Sequence, residues 1–315
     1  MSTTVFHRLA QPLPAPLRAR IQPLWNRLRM YQAFRRRGGR LVWDRELRAW
    51  MGWRPMADGR AMPICVRSWR EFRRLHFMGH DPADAVWKWL HWIGEEGRVL
   101  YDVGSANGLE GLLANHLHGL DVVMVEPYTP SVESILKSIH AARRRGPRGS
   151  VEVVHAACGD RDGYGRLLMH APPVPGETMN SFEDPSAYCN PEDRAAIGVV
   201  VSQWIKSVTL DELHWQRGLP APTHVKIDVD GFEGRVLQGA ARLLAERIPD
   251  SWAIEVTGQA LLDEVGALLP RHGYVEVDRY EHYPGNPRLT FDLIFVRPEQ
   301  AAAWRAFSAF PQDGR

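Results

Sequence analysis

The stretch Lys226-Ile-Asp-Val-Asp-Gly-Phe-Glu233 sets charges at positions 226, 228 and 230 of an otherwise apolar run and a fourth at 233. Read as a strand over residues 224–229, it sends Lys226, Asp228 and Asp230 to one side and Val225, Ile227 and Val229 to the other. A buried strand tolerates Lys226 and Asp228 only if they are paired or bound to something. Asp230, three residues before Glu233, also has the spacing of a helix cap with a reciprocal acid, so it has both a structural and a chemical reading. Carboxylates at the carboxyl edge of a sheet are placed to take a proton from a hydroxyl. Glu255, near the end of a strand over 251–256, and His155, at the end of one over 151–155, join Asp228 and Asp230 as candidates for that step. Lys226 would orient Asp228 or the acceptor oxygen. Asp228, Asp230 and Glu255 could also offer oxygen ligands to magnesium; edge acids usually hold no metal, and none is expected.

These side chains need a sheet to hold them, and its first strand is legible at residues 99–103. Val99-Leu-Tyr-Asp-Val103 is an apolar run with one acid, followed by Gly104-Ser-Ala-Asn-Gly108, which lets the backbone turn tightly against a ligand before a helix. Asp102 and the turn residues Gly104, Ser105, Asn107 and Gly108 are therefore expected to bind a cofactor, and Asp228, facing the same crevice, is a further candidate contact to its amino group. A second strand over 121–125 ends in Glu126-Pro127, and an acid there suits two ribose hydroxyls, because one carboxylate accepts both. The third, over 151–155, runs into Ala156-Ala-Cys-Gly-Asp160, where small residues such as Ala157 leave room for a planar base. Asp160 would accept from its exocyclic amine or serve as an ordinary turn residue.

Helices are expected over 84–93, 109–117, 131–145, 232–247 and 261–272, and Thr209-Leu-Asp-Glu212 opens a short one with a capping box. The last strands, 274–280 and 290–296, have no crossover between them and should pair antiparallel. This alternation predicts an α/β fold, a doubly wound and mostly parallel sheet with a reversed strand at its edge. Residues 172–191 form a long polar loop containing Met179-Asn-Ser-Phe182, of a length that usually carries function.

Composition bounds the reading. The 315 residues, 44% hydrophobic and 24% charged, suffice for one large domain with an appendage. Cys65, Cys158 and Cys189 are widely spaced, which fits a reducing compartment and no structural zinc. No apolar run approaches the roughly 20 residues of a membrane span, and residues 1–10 do not resemble a secretion signal, so a cytoplasmic location is expected. Residues 1–60 hold 13 arginines, no lysine and three acids (Asp44, Glu46, Asp58), a balance of +10; with +2 overall, the rest of the chain carries −8. Within that segment Leu17, Ile21, Leu24, Leu28 and Tyr31 recur at helical spacing among Arg18, Arg20, Arg27 and Arg29. Two readings stand: a basic helix lying on an anionic membrane at its inner face, or a helix docked on its own domain with arginines in water. Nucleic acid is not expected, since no recognised binding motif accompanies the arginines. Trp43, Trp50, Trp53, Trp69, Trp87, Trp89 and Trp92 crowd the stretch before the first core strand; most are expected in the core and a few on an acceptor pocket.

Asp102-Val-Gly-Ser-Ala-Asn-Gly108, Glu126-Pro127, Val208-Thr-Leu-Asp-Glu-Leu213, the Lys226 to Glu233 stretch and Val236-Leu-Gln-Gly239 together resemble FkbM-type methyltransferases. The resemblance implies a class I, Rossmann-like sheet of seven strands, S-adenosylmethionine as cofactor, and methyl transfer to a hydroxyl of a sugar, glycolipid or polyketide. It covers roughly residues 75–297, leaving 1–74 as a basic, Trp-rich, largely helical extension and 298–315 as a tail. Two positions depart from the family pattern, which has asparagine where Ala106 stands and glutamate where Asp230 stands. A nicotinamide-dependent sugar dehydrogenase or epimerase is the competing enzyme reading. It is disfavoured, because residues 104–111 lack the Gly-x-Gly-x-x-Gly order and none of the four lysines follows a tyrosine by four residues. A non-catalytic adaptor on the same fold is the third reading.

Overall fold

A computed structural model describes residues 15–55, 61–77, 81, 83–94, 98–144, 149–178, 180–183, 198–286 and 289–308, with side chains from residue 23 onward. Met179, Cys189 and the side chains of Leu17, Arg18, Arg20 and Ile21 lie outside what is described.

The centre is a seven-stranded sheet in the order β13-β14-β12-β11-β4-β5-β6. Its strands are β4 (Val99–Val103), β5 (Asp121–Val125), β6 (Val151–Val154), β11 (His224–Ile227), β12 (Ser251–Thr257), β13 (Val275–Glu281) and β14 (Thr290–Val296). β6, β5, β4, β11 and β12 run parallel; β14 pairs antiparallel with β12 and with β13, as the missing crossover requires. The chain winds outward from β4 through β5 to β6, then returns to β11 on the other side of β4. The strand order therefore reverses between β4 and β11, and ligands of open α/β sheets bind at that point.

Alternation along each strand makes two cores. Leu100, Val122 and Met124 face one layer with Leu112, Leu113 and Ile135, while Tyr101, Val103, Val123, Val125, Val225 and Ile227 face the other with Val236, Leu243 and Trp252. The first layer holds α3 (Ala85–Trp92), α4 (Leu109–His118) and α5 (Thr129–Arg143). Asp84 caps α3 by accepting from Trp87 N at 2.9 Å. Removing a fully buried ring such as Trp252 or Trp89 costs about 3–5 kcal/mol.

The expected 232–247 helix is two short ones, α7 (Glu233–Gln238) and α8 (Ala241–Ala245). At the break, a side chain on Gly239 would collide with the Gly159 carbonyl. α6 (Leu210–Trp215) begins as expected, with Thr209 Oγ1 accepting from Glu212 N at 3.0 Å; Glu212 itself turns to Arg217 instead of closing the capping box.

Two further sheets complete the fold, and of their strands only one, expected over 164–171, is legible in the sequence. β7 (Ala157–Cys158), β10 (Val201–Val208), β8 (Gly163–Met169) and β9 (Asn180–Phe182) form a four-stranded sheet in the order β7-β10-β8-β9. The amino-terminal segment is more than helical: α1 (Ala15–Arg36) leads into the antiparallel β1 (Arg40–Asp44), β2 (Ala49–Pro55) and β3 (Ala61–Val66). This small sheet leans on α5 through Cys65 N, which donates to Ser138 Oγ at 2.8 Å. Then α2 (Trp69–Phe77) crosses residues 74 and 75, where the extension was expected to end. Trp87 and Trp89 are core, whereas Trp43 and Trp50 pair edge to face at 5.6 Å with half of each ring exposed.

Candidate active site

The turn after β4 is shaped by close approach. Gly104 adopts φ +77°, and a side chain there would collide with the carbonyl of Asp228, so the β4 and β11 ends meet backbone to backbone. Asp228 N donates to Val103 O at 3.0 Å and Gly104 N to Val125 O at 2.9 Å, tying three strand ends together. Ala106 is left-handed at φ +49°, a conformation that costs an alanine about 1–2 kcal/mol and that asparagine adopts more readily. Its N–H donates to Glu126 Oε2 at 2.7 Å, which offsets that cost.

Glu126 lies on the wall of a cavity of ≈ 680 Å³ at the switch point. Its other oxygen accepts from Tyr128 N at 2.8 Å, and burial pushes its pKa up to about 7 against those two backbone bonds. A carboxylate has roughly four acceptor sites, so two remain for ligand hydroxyls. Gly104 and Ala157 line the same cavity.

The expected cofactor contacts divide at this point. Asp102, Ser105 and Asn107 are fully buried, and none of them lines the cavity. Asp102 instead accepts from Gly111 N at 3.1 Å, fastening α4 to the strand, and Ser105 Oγ donates to Asp102 O at 2.6 Å. Gly108 caps α4 with φ +75°. Neither amide atom of Asn107 has a hydrogen-bond partner, an orphan directly behind the turn. Asp160 stands off the cavity, 3.7 Å from Arg235.

Asp228, Asp230 and Glu255 all reach the cavity, but in different electrostatic states. Lys226, 6% exposed, places Nζ 3.2 Å from Asp228 Oδ2 and 3.7 Å from Asp102 Oδ1. Burial opposes the charge on Lys226, but Asp228 and Asp102 outweigh it and its pKa is raised. Burial raises Asp228 too, yet Lys226 and Arg74 overcome this and hold its carboxyl below its ordinary value. Asp230 and Glu255 are pushed well above theirs, by burial first and by the charge of Asp228 second. Asp230 is no helix cap: it takes φ +56°, Phe232 occupies the cap position, and Glu233 Oε1 accepts from Val229 N at 3.0 Å and Gly231 N at 3.2 Å. His155 is exposed, with Nε2 3.1 Å from Pro127 O, and does not face the cavity.

A smaller cavity of ≈ 140 Å³ under the first is lined by Lys226, Asp228, Glu255, His282 and Asp292 among others. Among the described residues, Glu255, His282 and Asp292 bring ligand atoms within 4.8 Å of one another, with His282 Nε2 2.9 Å from Asp292 Oδ2. Of the three acids considered for magnesium, only Glu255 belongs to this group.

The opposite wall combines Trp69 and the Asn180 to Phe182 stretch, which the sequence marked for an acceptor pocket and a functional loop, with arginines that sequence spacing did not single out. Trp69, Arg70, Arg73 and Arg74 of α2 line the cavity, as do Asn180, Ser181 and Phe182 of β9. Arg70 pairs with the buried Glu177. The helical row of Arg70, Arg73 and Arg74 is visible in the sequence, but nothing local says that it faces a sheet edge 30 residues further on.

Residues 102–276 match the family model of the methyltransferase FkbM domain. A comparison with curated proteins gives no match. Among solved structures, similarity is found to the methyltransferase FkbM from Methylobacillus flagellatus KT at 15% identity and TM-score 0.43, covering 72% of this chain and 56% of that one. The precorrin-6y C5,15-methyltransferase from Geobacter metallireducens GS-15 is similar at 12% identity and TM-score 0.37, covering 67% and 85%. The Pyrococcus abyssi tRNA (uracil-54, C5)-methyltransferase in complex with S-adenosyl-L-homocysteine follows at 11% and 0.37, covering 67% and 38%. With the glycine turn, Glu126 and the Lys226 to Glu233 stretch all inside the matched span, the chain belongs to the FkbM methyltransferase domain family.

Proposed function

We propose that the chain is an S-adenosylmethionine-dependent O-methyltransferase acting on a hydroxyl of a sugar, glycolipid or polyketide-like acceptor. The observation that carries this reading is one cavity holding Glu126 and Asp228 on either side of the Gly104 turn. Glu126 would hold the ribose hydroxyls, Gly104 and Ala106 would pass the backbone beneath them, and Ala157 would border the base. The sulfonium supplies an electrophilic methyl group when the cofactor is bound.

What remains for the protein is to aim an oxygen at that methyl and remove its proton. Of Asp228, Asp230 and Glu255, Asp228 is the one kept ionised by its own neighbours, Lys226 and Arg74. It is therefore assigned the proton, leaving Lys226 as the positioning residue that fixes Asp228 from below. Trp69 and Phe182 supply apolar walls that suit a sugar face or a polyketide and help exclude water. Arg74 stands across from the acids and moderates their charge.

Calorimetric titration with S-adenosylhomocysteine and with a nicotinamide cofactor tests the first half, and binding of the nicotinamide alone would overturn it. Mass spectrometry of hydroxyl metabolite and glycolipid pools with and without the active chain tests the second. A gain of one methyl unit on a hydroxyl is expected. Cofactor binding with no methylated product in any pool would favour the adaptor reading.

A further inference from the structure

α1 carries six arginines and no acid. Its docked side is clear: Phe34 is buried, and Met30 and Tyr31 pack on the first core layer. Leu24 and Leu28, one turn apart, are 62% and 45% exposed. Leu17 and Ile21 continue the same spacing in the sequence, so the apolar row recurs at helical intervals and ends in the docked Tyr31. Of the two readings of this helix, docking accounts for the Met30, Tyr31 and Phe34 side and leaves Leu24 and Leu28 in water.

The charge on α1 is of one sign, and Arg29 and Arg36 lie on another side of the helix from Leu24. A groove of ≈ 420 Å³ runs between α1 and α2, lined by Asn26, Arg29, Met30, Ala33, Arg36 and His76 among others, and no carboxylate borders it. Arginine offers a fork of donors that matches phosphate oxygens. α1 touches the active-site wall from behind: Arg27 lies 5.4 Å over the ring of Trp69, which lines the cavity. Among the described residues no helix is long and apolar enough to cross a membrane, so any lipid contact made by α1 is interfacial.

We propose that α1 seats the protein on an anionic phospholipid surface. Leu24 and Leu28 enter the interface, Arg29 and Arg36 take headgroup phosphates in the groove, and the cavity beside Trp69 receives its hydroxyl acceptor at that surface. An exposed apolar row alone would serve a protein partner equally well. Six arginines without an acid select a polyanionic plane, where each basic side chain adds to the attraction. The last clause of the proposal rests on the acceptor reading above; the docking itself does not.

Sedimentation of the full chain with phosphatidylcholine vesicles, and with vesicles that also contain phosphatidylglycerol, tests it. The chain is expected to sediment with the anionic vesicles, to remain in solution with the neutral ones, and to be released by salt. Leu24→Glu with Leu28→Glu, and separately Arg29→Glu with Arg36→Glu, should each weaken partitioning at least about 10-fold. Binding of S-adenosylhomocysteine by calorimetry should be unchanged in both double variants, which separates loss of docking from loss of fold. No sedimentation with anionic vesicles, equal sedimentation with both kinds, or undiminished sedimentation of both variants would overturn the proposal. Failure to bind S-adenosylhomocysteine with docking intact would remove the acceptor clause alone.

Discussion

Lys226 stands directly across the parallel β4–β11 ladder from Asp102, with Nζ 3.7 Å from Oδ1, and turns the same nitrogen to Asp228 two residues along its own strand. One buried ammonium thus links an acid that fastens α4 to an acid that opens on the cavity. The register of two strands, not a local motif, creates this link.

Asp228→Asn should lower turnover about 100-fold or more, the usual scale for a lost general base, and change cofactor affinity less. Because Lys226 and Arg74 hold Asp228 below its ordinary carboxyl value, the acid limb of the turnover profile should lie below about pH 4. A limb near neutrality would move the proton to Asp230 or Glu255, whose pKa values are raised. Steady-state rates against pH at saturating cofactor check both points.

Glu126→Ala should weaken S-adenosylhomocysteine binding by about 1.5–3 kcal/mol, the range for hydrogen bonds to a charged group. It also strips the N–H groups of Ala106 and Tyr128 of their acceptor, so a lower melting temperature should accompany the loss. Calorimetry showing unchanged affinity would sink the ribose assignment.

Glu233 gives a stability change of predictable sign. Burial raises its pKa from 4.5 to about 7, so the native state holds a proton that the unfolded chain releases between those values. Its contribution to stability therefore falls as pH rises from about 4.5 to 7. Glu233→Gln keeps an acceptor for Val229 N and Gly231 N and removes the buried charge. The variant should be more stable than the parent at pH 8, by up to about 3 kcal/mol, with the gain fading toward pH 5. Urea unfolding at the two pH values reads it, and a gain that grows toward pH 5 would reverse the sign.

Gly104→Ala and Gly285→Ala form a matched pair, since both glycines adopt positive φ, +77° and +80°. At Gly285 no atom lies within 4 Å of an added Cβ, so the change should cost only the left-handed strain of about 1–2 kcal/mol. At Gly104 the Cβ meets the Asp228 carbonyl, and cofactor binding should be lost along with stability. Equal effects of the two on S-adenosylhomocysteine affinity would mean that the turn does not shape the site.

What the sequence determined by itself was periodic or adjacent. Alternating and apolar runs marked the seven strands, Thr209 and Asp84 marked helix starts, and the missing crossover marked the reversal of β14. These signals are local, because strand and helix periods are written over a few consecutive residues. The tertiary structure alone decided which side chains share a space. It drew Asp102 and Asn107 behind the turn, denied Asp230 its cap, and carried His155 off the cavity. It also brought Arg70, Arg73 and Arg74 across from Asp228 and gathered Glu255 with His282 and Asp292. Distances between strands follow from the packing of whole layers and the register they settle into. No spacing within one segment encodes them.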